Sequence, residues 1–337
     1  MKIASHDTQD RAFVIAEVGN NHEGDFGLAK EMLYLAADSG ADAVKYQTFR
    51  TEQFICRDDE ARYQRLKSFE LSYDQFAELG ERARAAGLVF ISTPLDMESA
   101  EFLDGEVDAF KIASSDNNFW PLINFAALSG KPVILSTGLA GLPEIRSAVN
   151  HIHSCQGGLE GNPEMAVLHC VSAYPTPPEE ANIGAVRTLR SELPGCTVGY
   201  SDHTQGIDAA VLAVAMGAEI IEKHFTVAHD HSDFRDHQLS ADPAEMAELV
   251  RRIRAFEVLR GSGEIGMEAC ERGNAPLIRR SIAAKTPLGA GHRVTRDDLI
   301  WVRPGDGIAP GQENEIVGRT LNAAMNTGDR FQPHLLG

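Results

Sequence analysis

The chain has 337 residues, with 31 Lys+Arg against 49 Asp+Glu and a formal net charge of −18. That balance excludes nucleic acid as the main partner, because neutralising phosphates requires a basic surface. Hydrophobic residues make up 43 % and charged residues 24 %, which excludes disorder as the dominant state and admits either one large barrel or two domains.

Up to about residue 260, short apolar runs alternate with longer amphipathic stretches, the pattern of parallel strands joined by crossover helices. The predicted strands are 13–18, 43–47, 89–93, 109–114, 132–137, 166–171, 197–201 and 220–225. Helical patterns lie between them at 27–39, 73–86, 143–153, 207–216 and 243–260, several opened by capping residues or proline. Eight such units in about 250 residues predict an α/β fold, a closed (β/α)8 TIM barrel. After Arg260 the glycines 261, 263 and 266 break the helix. The expected division is a barrel over 1–261, a linker over 262–278 and a small, mostly β domain over 279–337. Within that domain, 281–284, 301–303 and 316–318 read as short β pieces. A core of under 60 residues is marginal alone, so this domain is expected to lean on another surface.

No apolar run approaches the ~18 residues of a membrane span, and the first residues lack the apolar core of a secretion signal. A cytoplasmic enzyme without membrane contact is expected. The cysteines at 56, 155, 170, 196 and 270 form no CxxC and read as reduced thiols.

Polar residues recur at the C-terminal ends of the predicted strands, where a barrel builds its active site. His203 and His224 end two consecutive strands, which lie ~4.8 Å apart in a sheet, so their imidazoles can converge on one divalent cation. The alternative is one ligand-contacting and one structural histidine. Lys45 and Lys111 lie in apolar strands, with Ser114, Ser136, Ser172 and Ser201 around the rim. They suit a phosphate and carboxylate cradle, the local cations an acidic protein needs for an anionic substrate. A Schiff-base lysine, or lysines snorkelling to the barrel mouth, are the other readings. Glu17 either hydrogen-bonds a polyhydroxylated substrate or pairs with one of the lysines. The stretch with His229, His231 and His237 lacks the spacing of a ligand set and reads as a substrate-facing loop. No glycine pattern makes a dinucleotide or phosphate-loop fingerprint.

The segments EVGNNHEG, VKYQTF, FISTP, KIASSDNN, PVILSTG, LHCVSAYPTP, YSDHT and EKHFT, followed by RRSI and VRPGDGI, occur in that order from residue 17 to 308. Together they closely resemble the sialic acid synthase (N-acetylneuraminate synthase) family. The resemblance implies a TIM barrel followed by an antifreeze-like SAF domain. It implies condensation of phosphoenolpyruvate with an N-acetylated hexosamine of the N-acetylmannosamine type, giving a 3-deoxy-nonulosonic acid and phosphate. A sister activity, pseudaminic or legionaminic acid synthesis from a diacetamido-trideoxyhexose, is the alternative. By the same resemblance, His203 and His224 match ligands of Mn2+, with Mg2+ or Co2+ as substitutes. Lys45, Thr93, Lys111, Ser114, Ser136, Ser172 and Ser201 match positions that hold phosphoenolpyruvate. Glu17, Tyr174, Glu222 and Asp236 match contacts to the amino sugar, and Arg303 matches an arginine that enters the partner's barrel in a domain-swapped homodimer. Glu17 and Glu222 would stabilise positive charge at C2, and Asp116 would assist water. Three departures stand out: Asp116 where some members have Glu, Ser172 where some have Asn, and FRDH where many read GPDH. They point to a modified acceptor sugar. A Schiff-base aldolase and a carbohydrate- or ice-binding protein are the competing classes.

Overall fold

In the computed structural model, which describes residues 1–157 and 164–337, eight parallel strands close into a barrel. They are β1 (Phe13–Gly19), β2 (Ala43–Thr48), β3 (Val89–Pro94), β4 (Ala109–Ile112), β5 (Val133–Ser136), β6 (Met165–Cys170), β7 (Thr197–Asp202) and β8 (Ile220–His224). Neighbours in sequence are neighbours in the barrel, and β8 closes it against β1. The crossover helices are α1 (Phe26–Asp38), α2 (Tyr73–Ala85), α3 (Met97–Leu103), α4 (Trp120–Leu128), α5 (Leu142–Gln156), α6 (Ala185–Glu192), α7 (Asp208–Ala215) and α8 (Pro243–Arg260). Local chemistry starts several of them: Asp25 caps α1 by accepting from the amides of Gly27 and Leu28, and Asp242 forms a capping box with Glu245 ahead of Pro243 at the start of α8.

Side chains alternate in direction along each strand, and both faces are buried. Outward residues such as Val14, Val44, Phe90, Phe110 and Ile221 pack under the helices. Inward residues Phe13, Ile15, Ala43, Ile91, Ala109, Ile134, Ala166, Leu168 and Ile220 form a separate apolar plug inside the barrel. Met1 and Ile3 join that plug from a two-stranded hairpin, Lys2–Ile3 with His6–Asp7. The barrel is therefore filled and closed at its N-terminal end, and only its C-terminal end is left to build a site. Gly199 faces this interior because a Cβ there would meet the Ile220 carbonyl oxygen and Leu168 Cδ2, each at 2.5 Å.

The chain divides into two units, Met1–Gly261 and Ser262–Gly337. The second has its own core, including Ile282, Val294, Leu299, Ile316 and Phe331, beneath an antiparallel pair, β9 (Ser281–Ala284) and β10 (Leu299–Val302). The piece expected at 301–303 begins earlier, at Leu299. The one expected at 316–318 is not a strand: Ile316 follows a short 3-10 turn, Glu313–Glu315, and is buried as a core anchor. Two apolar residues, Ile316 and Val317, beside turn formers carried the strand signal without a ladder partner. Residues 262–278 hold only a 3-10 turn (Ala269–Glu271) and one helical turn (Ala275–Ile278).

Candidate active site

Two residues beyond the apolar plug, the inward positions turn polar. Ile15 is succeeded by Glu17, Ala43 by Lys45, Ile91 by Thr93, Ala109 by Lys111, Ile134 by Ser136, Gly199 by Ser201 and Ile220 by Glu222. Parallel register sets the neighbours: Glu17 opposes Lys45, and Glu222 opposes Ser201. The result is a buried quartet of charges. Lys45 Nζ lies 2.7 Å from Glu17 Oε2 and 3.6 Å from Glu222 Oε2, and Lys111 Nζ lies 3.4 Å from Glu222 Oε1. Lys45 also donates to Thr93 Oγ1 (3.1 Å), Ser201 donates to Glu222 Oε1 (2.9 Å), and Gln47 donates to Glu17 Oε1 (3.3 Å). All four charged residues are at most 4 % exposed. The lysines therefore do not snorkel to the mouth.

The two carboxyls differ because their cations differ. Burial pushes both up, but Glu222 sits between Lys111 and Lys45, which outweigh burial and hold it well below the usual carboxylate range. Glu17 has Lys45 alone at close range, so burial, with repulsion from Glu222, leaves it raised. Burial also opposes the charge on the lysines. Glu17 and Glu222 together more than compensate at Lys45, which is held cationic, whereas Lys111 has the nearer support of Glu222 only, is repelled by Lys45 and is lowered.

Above the quartet stand the two histidines, with ring centroids 5.2 Å apart. His203 Nδ1 lies 2.7 Å from the Val171 carbonyl oxygen, to which it donates, so Nε2 carries the ring's ligand lone pair. Burial holds His224 well below its ordinary value, helped by repulsion from His203, and its buried Nδ1 has no hydrogen-bond partner. At His203 burial is outweighed by Cys170 and the Val171 carbonyl, which raise it. A cation arriving at Nε2 would displace that proton. Two converging imidazoles, one fixed by a backbone carbonyl and one kept neutral, are a donor set that fits a borderline divalent cation. Tyr174 packs against His203 at 4.1 Å between ring centroids. On the outward side of the same strands, Asp202 and Lys223, both fully buried, pair at 3.0 Å and tie β7 to β8 directly behind the histidines.

A cavity of about 770 Å³ opens beside this layer, lined among others by Gln47, Ser114, Ser172, Tyr174, His224 and Asp236. Ser114 Oγ accepts from the Gly138 amide at 3.0 Å. The Ser136 and Ser172 hydroxyls are buried without partners, as expected of groups kept for a ligand. Gly138 leaves room for the two serines, since a Cβ would collide with Ser172 Oγ and approach Ser114 Oγ to 2.7 Å. Asp116 ends a 3-10 turn (Ser114–Asp116) that begins just past β4. Its carboxyl is raised, chiefly by burial, although Ser115 donates to it at 2.9 Å. Asp236 is raised likewise by burial against the charge of Arg235, whose guanidinium lies 5.1 Å from the Tyr174 ring centre. Arg303 belongs to the second unit, following β10, and is not one of the barrel groups described above.

The geometry thus brings Glu17, Lys45, Thr93, Lys111, Ser201 and Glu222 into one layer of ion pairs and hydrogen bonds, with His203, His224 and Tyr174 above it. Glu17 lies paired with Lys45, and both lysines lie against carboxylates within the protein. Residues that sequence reasoning missed are Gln47, Lys223 as the partner of Asp202, and Glu23, which accepts from Ser232 at 2.6 Å and from His237 at 3.0 Å. Gln47 carried a signal, being two residues beyond Lys45 on the same face. Glu23, His231 and His237 do come close enough to share an ion, but His237 is spent on hydrogen bonds to Thr226 and Glu23.

The NeuB family model matches residues 32–265, and the SAF domain model matches residues 279–336. An N,N'-diacetyllegionaminic acid synthase of Legionella pneumophila is 39 % identical over 94 % of this chain and 92 % of its own. The N-acetylneuraminate-9-phosphate synthase of Homo sapiens is 31 % identical, covering 97 % of this chain and 93 % of its own. Among solved structures, the N-acetylneuraminic acid (sialic acid) synthetase of Leptospira borgpetersenii in complex with citrate has a TM-score of 0.75 at 35 % identity, covering 81 % of this chain and 94 % of that one.

Proposed function

Because the chain belongs to the NeuB family, enzymes that condense phosphoenolpyruvate with sugars, we propose that it joins phosphoenolpyruvate to an N-acetylated amino sugar carrying a second acetamido group. The products are a 3-deoxy-nonulosonic acid and phosphate. The observation that carries the reading is the buried Glu17–Lys45–Glu222–Lys111 layer directly beneath paired imidazoles. Two features support a 2,4-diacetamido-2,4,6-trideoxyhexose over plain N-acetylmannosamine. Identity to the legionaminic acid synthase exceeds identity to the N-acetylneuraminate-9-phosphate synthase, 39 % against 31 %. The cavity also has apolar walls, Phe54, Leu66, Phe69 and Phe234, suited to a deoxy carbon and an extra acetyl methyl.

In this reading Lys45, Lys111, Thr93, Ser114, Ser136, Ser172 and Ser201 orient phosphoenolpyruvate, with the hydroxyls of Ser136 and Ser172 free to donate. Its C3 attacks the aldehyde carbon of the open-chain sugar, which Tyr174 and Asp236 hold in the cavity. His203 and His224 would hold Mn2+, with Mg2+ or Co2+ as substitutes, and that cation supplies Lewis-acid polarisation of a carbonyl oxygen. Positive charge developing at C2 faces the carboxylates of Glu17 and Glu222. Asp116, kept in a raised range by burial, accepts a proton from the water that adds at C2, and that proton balances the one taken up by the former aldehyde oxygen as it becomes a hydroxyl. The C–O bond to phosphate then breaks as the C2 hydroxyl becomes the ketone, and phosphate carries the hydroxyl's proton away as it leaves toward Lys45 and Lys111. We further assign the working form as a cytoplasmic domain-swapped homodimer in which Arg303 reaches the partner's barrel. Among the described residues no helix is long and apolar enough to cross a membrane.

The test is incubation with phosphoenolpyruvate, Mn2+ and a panel of sugars, with phosphate release followed by mass spectrometry of the product. Phosphate should appear only with the correct sugar, and the diacetamido sugar should outperform N-acetylmannosamine. Release without any sugar would sink the synthase reading, and a preference for N-acetylmannosamine would sink the acceptor assignment.

A further inference from the structure

The loop between β8 and α8 walls the cavity with Asp233, Phe234, Arg235 and Asp236, yet none of these is tied to the barrel by a strand ladder. Glu23, contributed by the turn after β1, is one of the loop's anchors, beside Asn21 Nδ2, which donates to the Phe225 carbonyl and to Ser240 Oγ. Glu23 Oε1 accepts from Ser232 Oγ at 2.6 Å and from His237 Nε2 at 3.0 Å, so one carboxylate oxygen grips both ends of the cavity-lining segment. Ser232 in turn accepts from the Phe234 amide at 3.0 Å, and His237 is fully buried with its other nitrogen on Thr226. Glu23 is held in the left-handed region at φ +46, which a non-glycine residue adopts at a cost. The next residue, Gly24, is also left-handed, at φ +83, and a Cβ there would collide with the Ser68 carbonyl oxygen. The same turn therefore also abuts the helix Glu60–Phe69, whose Leu66 and Phe69 line the cavity from the other side. Phe69 and Phe234 meet edge to face at 5.2 Å, closing the two walls on each other.

We propose that Glu23 is a positioning residue for the acceptor sugar, setting the shape of the cavity through Ser232 and His237 while leaving the phosphoenolpyruvate layer untouched. The inference rests on the condensing-synthase reading. Glu23 touches none of the quartet residues, so its removal should separate the two substrates kinetically. Losing two hydrogen bonds to a carboxylate is expected to raise the KM for the diacetamido sugar about tenfold. The KM for phosphoenolpyruvate should stay within about twofold of wild type.

The experiment compares Glu23→Ala, Glu23→Gln and Ser232→Ala in the full chain, with both KM values and hydrogen–deuterium exchange of the substrate-free protein. Glu23→Ala should raise the sugar KM and speed exchange over residues 228–240, with exchange over β2 unchanged. Glu23→Gln, which keeps an acceptor oxygen, should recover most of the sugar affinity, and Ser232→Ala should show the same effect more weakly without disturbing the strained turn. Equal rises in both KM values, or unchanged exchange over 228–240 in Glu23→Ala, would overturn the proposal. A wild-type protein with no sugar-dependent phosphate release would remove the synthase reading instead. The exchange result would then still report whether Glu23 holds the loop.

Discussion

Replacing Lys45 by Met breaks the quartet at its shortest contact. At 2.7 Å from Glu17 Oε2, and with an effective dielectric of about 20, the mutual attraction is about 6 kcal/mol. Much of that offsets the cost of burying the two ions, several kcal/mol each. Lys45→Met removes the attraction while leaving Glu17 and Glu222 buried against Lys111 alone, a net charge of −1 inside the barrel. The expected cost is about 3–5 kcal/mol, the range for stripping one partner from a buried pair. Replacing both partners, Glu17→Gln with Lys45→Met, restores neutrality and should recover most of the loss. Thermal denaturation followed by circular dichroism, at several pH values, measures both. The pH dependence follows from Glu17. Its folded-state value is raised by burial even with Lys45 present, and without that cation it rises further. A carboxyl raised on folding contributes stability that is full below its unfolded value and is lost as pH rises through the folded one. Lys45→Met should therefore be hurt more at pH 8 than at pH 5.5. Equal stabilities for the single and double variants, or a single-variant deficit that grows toward acid, would refute the reasoning.

Removing the divalent cation with EDTA should abolish activity and added Mn2+ should restore it, whereas His203→Ala and His224→Ala should each lose Mn2+ binding by calorimetry. Metal-independent turnover, with borohydride trapping of substrate on Lys111, would favour the Schiff-base alternative. Asp116 is needed ionised if it accepts water's proton, so activity should fall as pH drops through its raised range, and Asp116→Asn should remove that acid limb of the kcat/KM profile. Gly138→Ala should displace the Ser114 and Ser172 hydroxyls and raise the KM for phosphoenolpyruvate about tenfold, with little change in melting temperature. Lys223→Met strands the fully buried Asp202 carboxylate and should cost about 3–5 kcal/mol in the same melts.

The barrel was legible because its evidence is local. Each strand is a short apolar run, buried on both faces, and the charged and hydroxyl layer is a set of polar intrusions at strand C-terminal ends, visible without knowing any neighbour. Pairing was not legible. That Glu17 meets Lys45 depends on the register of β1 on β2, and that Glu222 meets Lys111 depends on closure of the barrel across strands that are not adjacent. Glu23 was still further out of reach, since its partners Ser232 and His237 lie 209 and 214 residues away in sequence. The second unit shows the opposite failure, a local signal at Ile316 without the long-range ladder that would make it a strand.

The pairing changes the electrostatic argument drawn from composition. With a formal charge of −18, an anionic substrate needs a local source of attraction, and Lys45 and Lys111 looked like that source. Their positive charge is already matched by Glu17 and Glu222, so the quartet contributes direction and hydrogen bonds but no net charge. In the proposed function, net attraction would come from donors still without partners, from Arg62, Arg65 and Arg235 lining the cavity, and from the cation that His203 and His224 would hold. The Ser136 and Ser172 hydroxyls are such donors. On this view the quartet is neutral at rest so that the barrel can bury it, and in the proposed function the charge of the divalent cation would offset that of the anion.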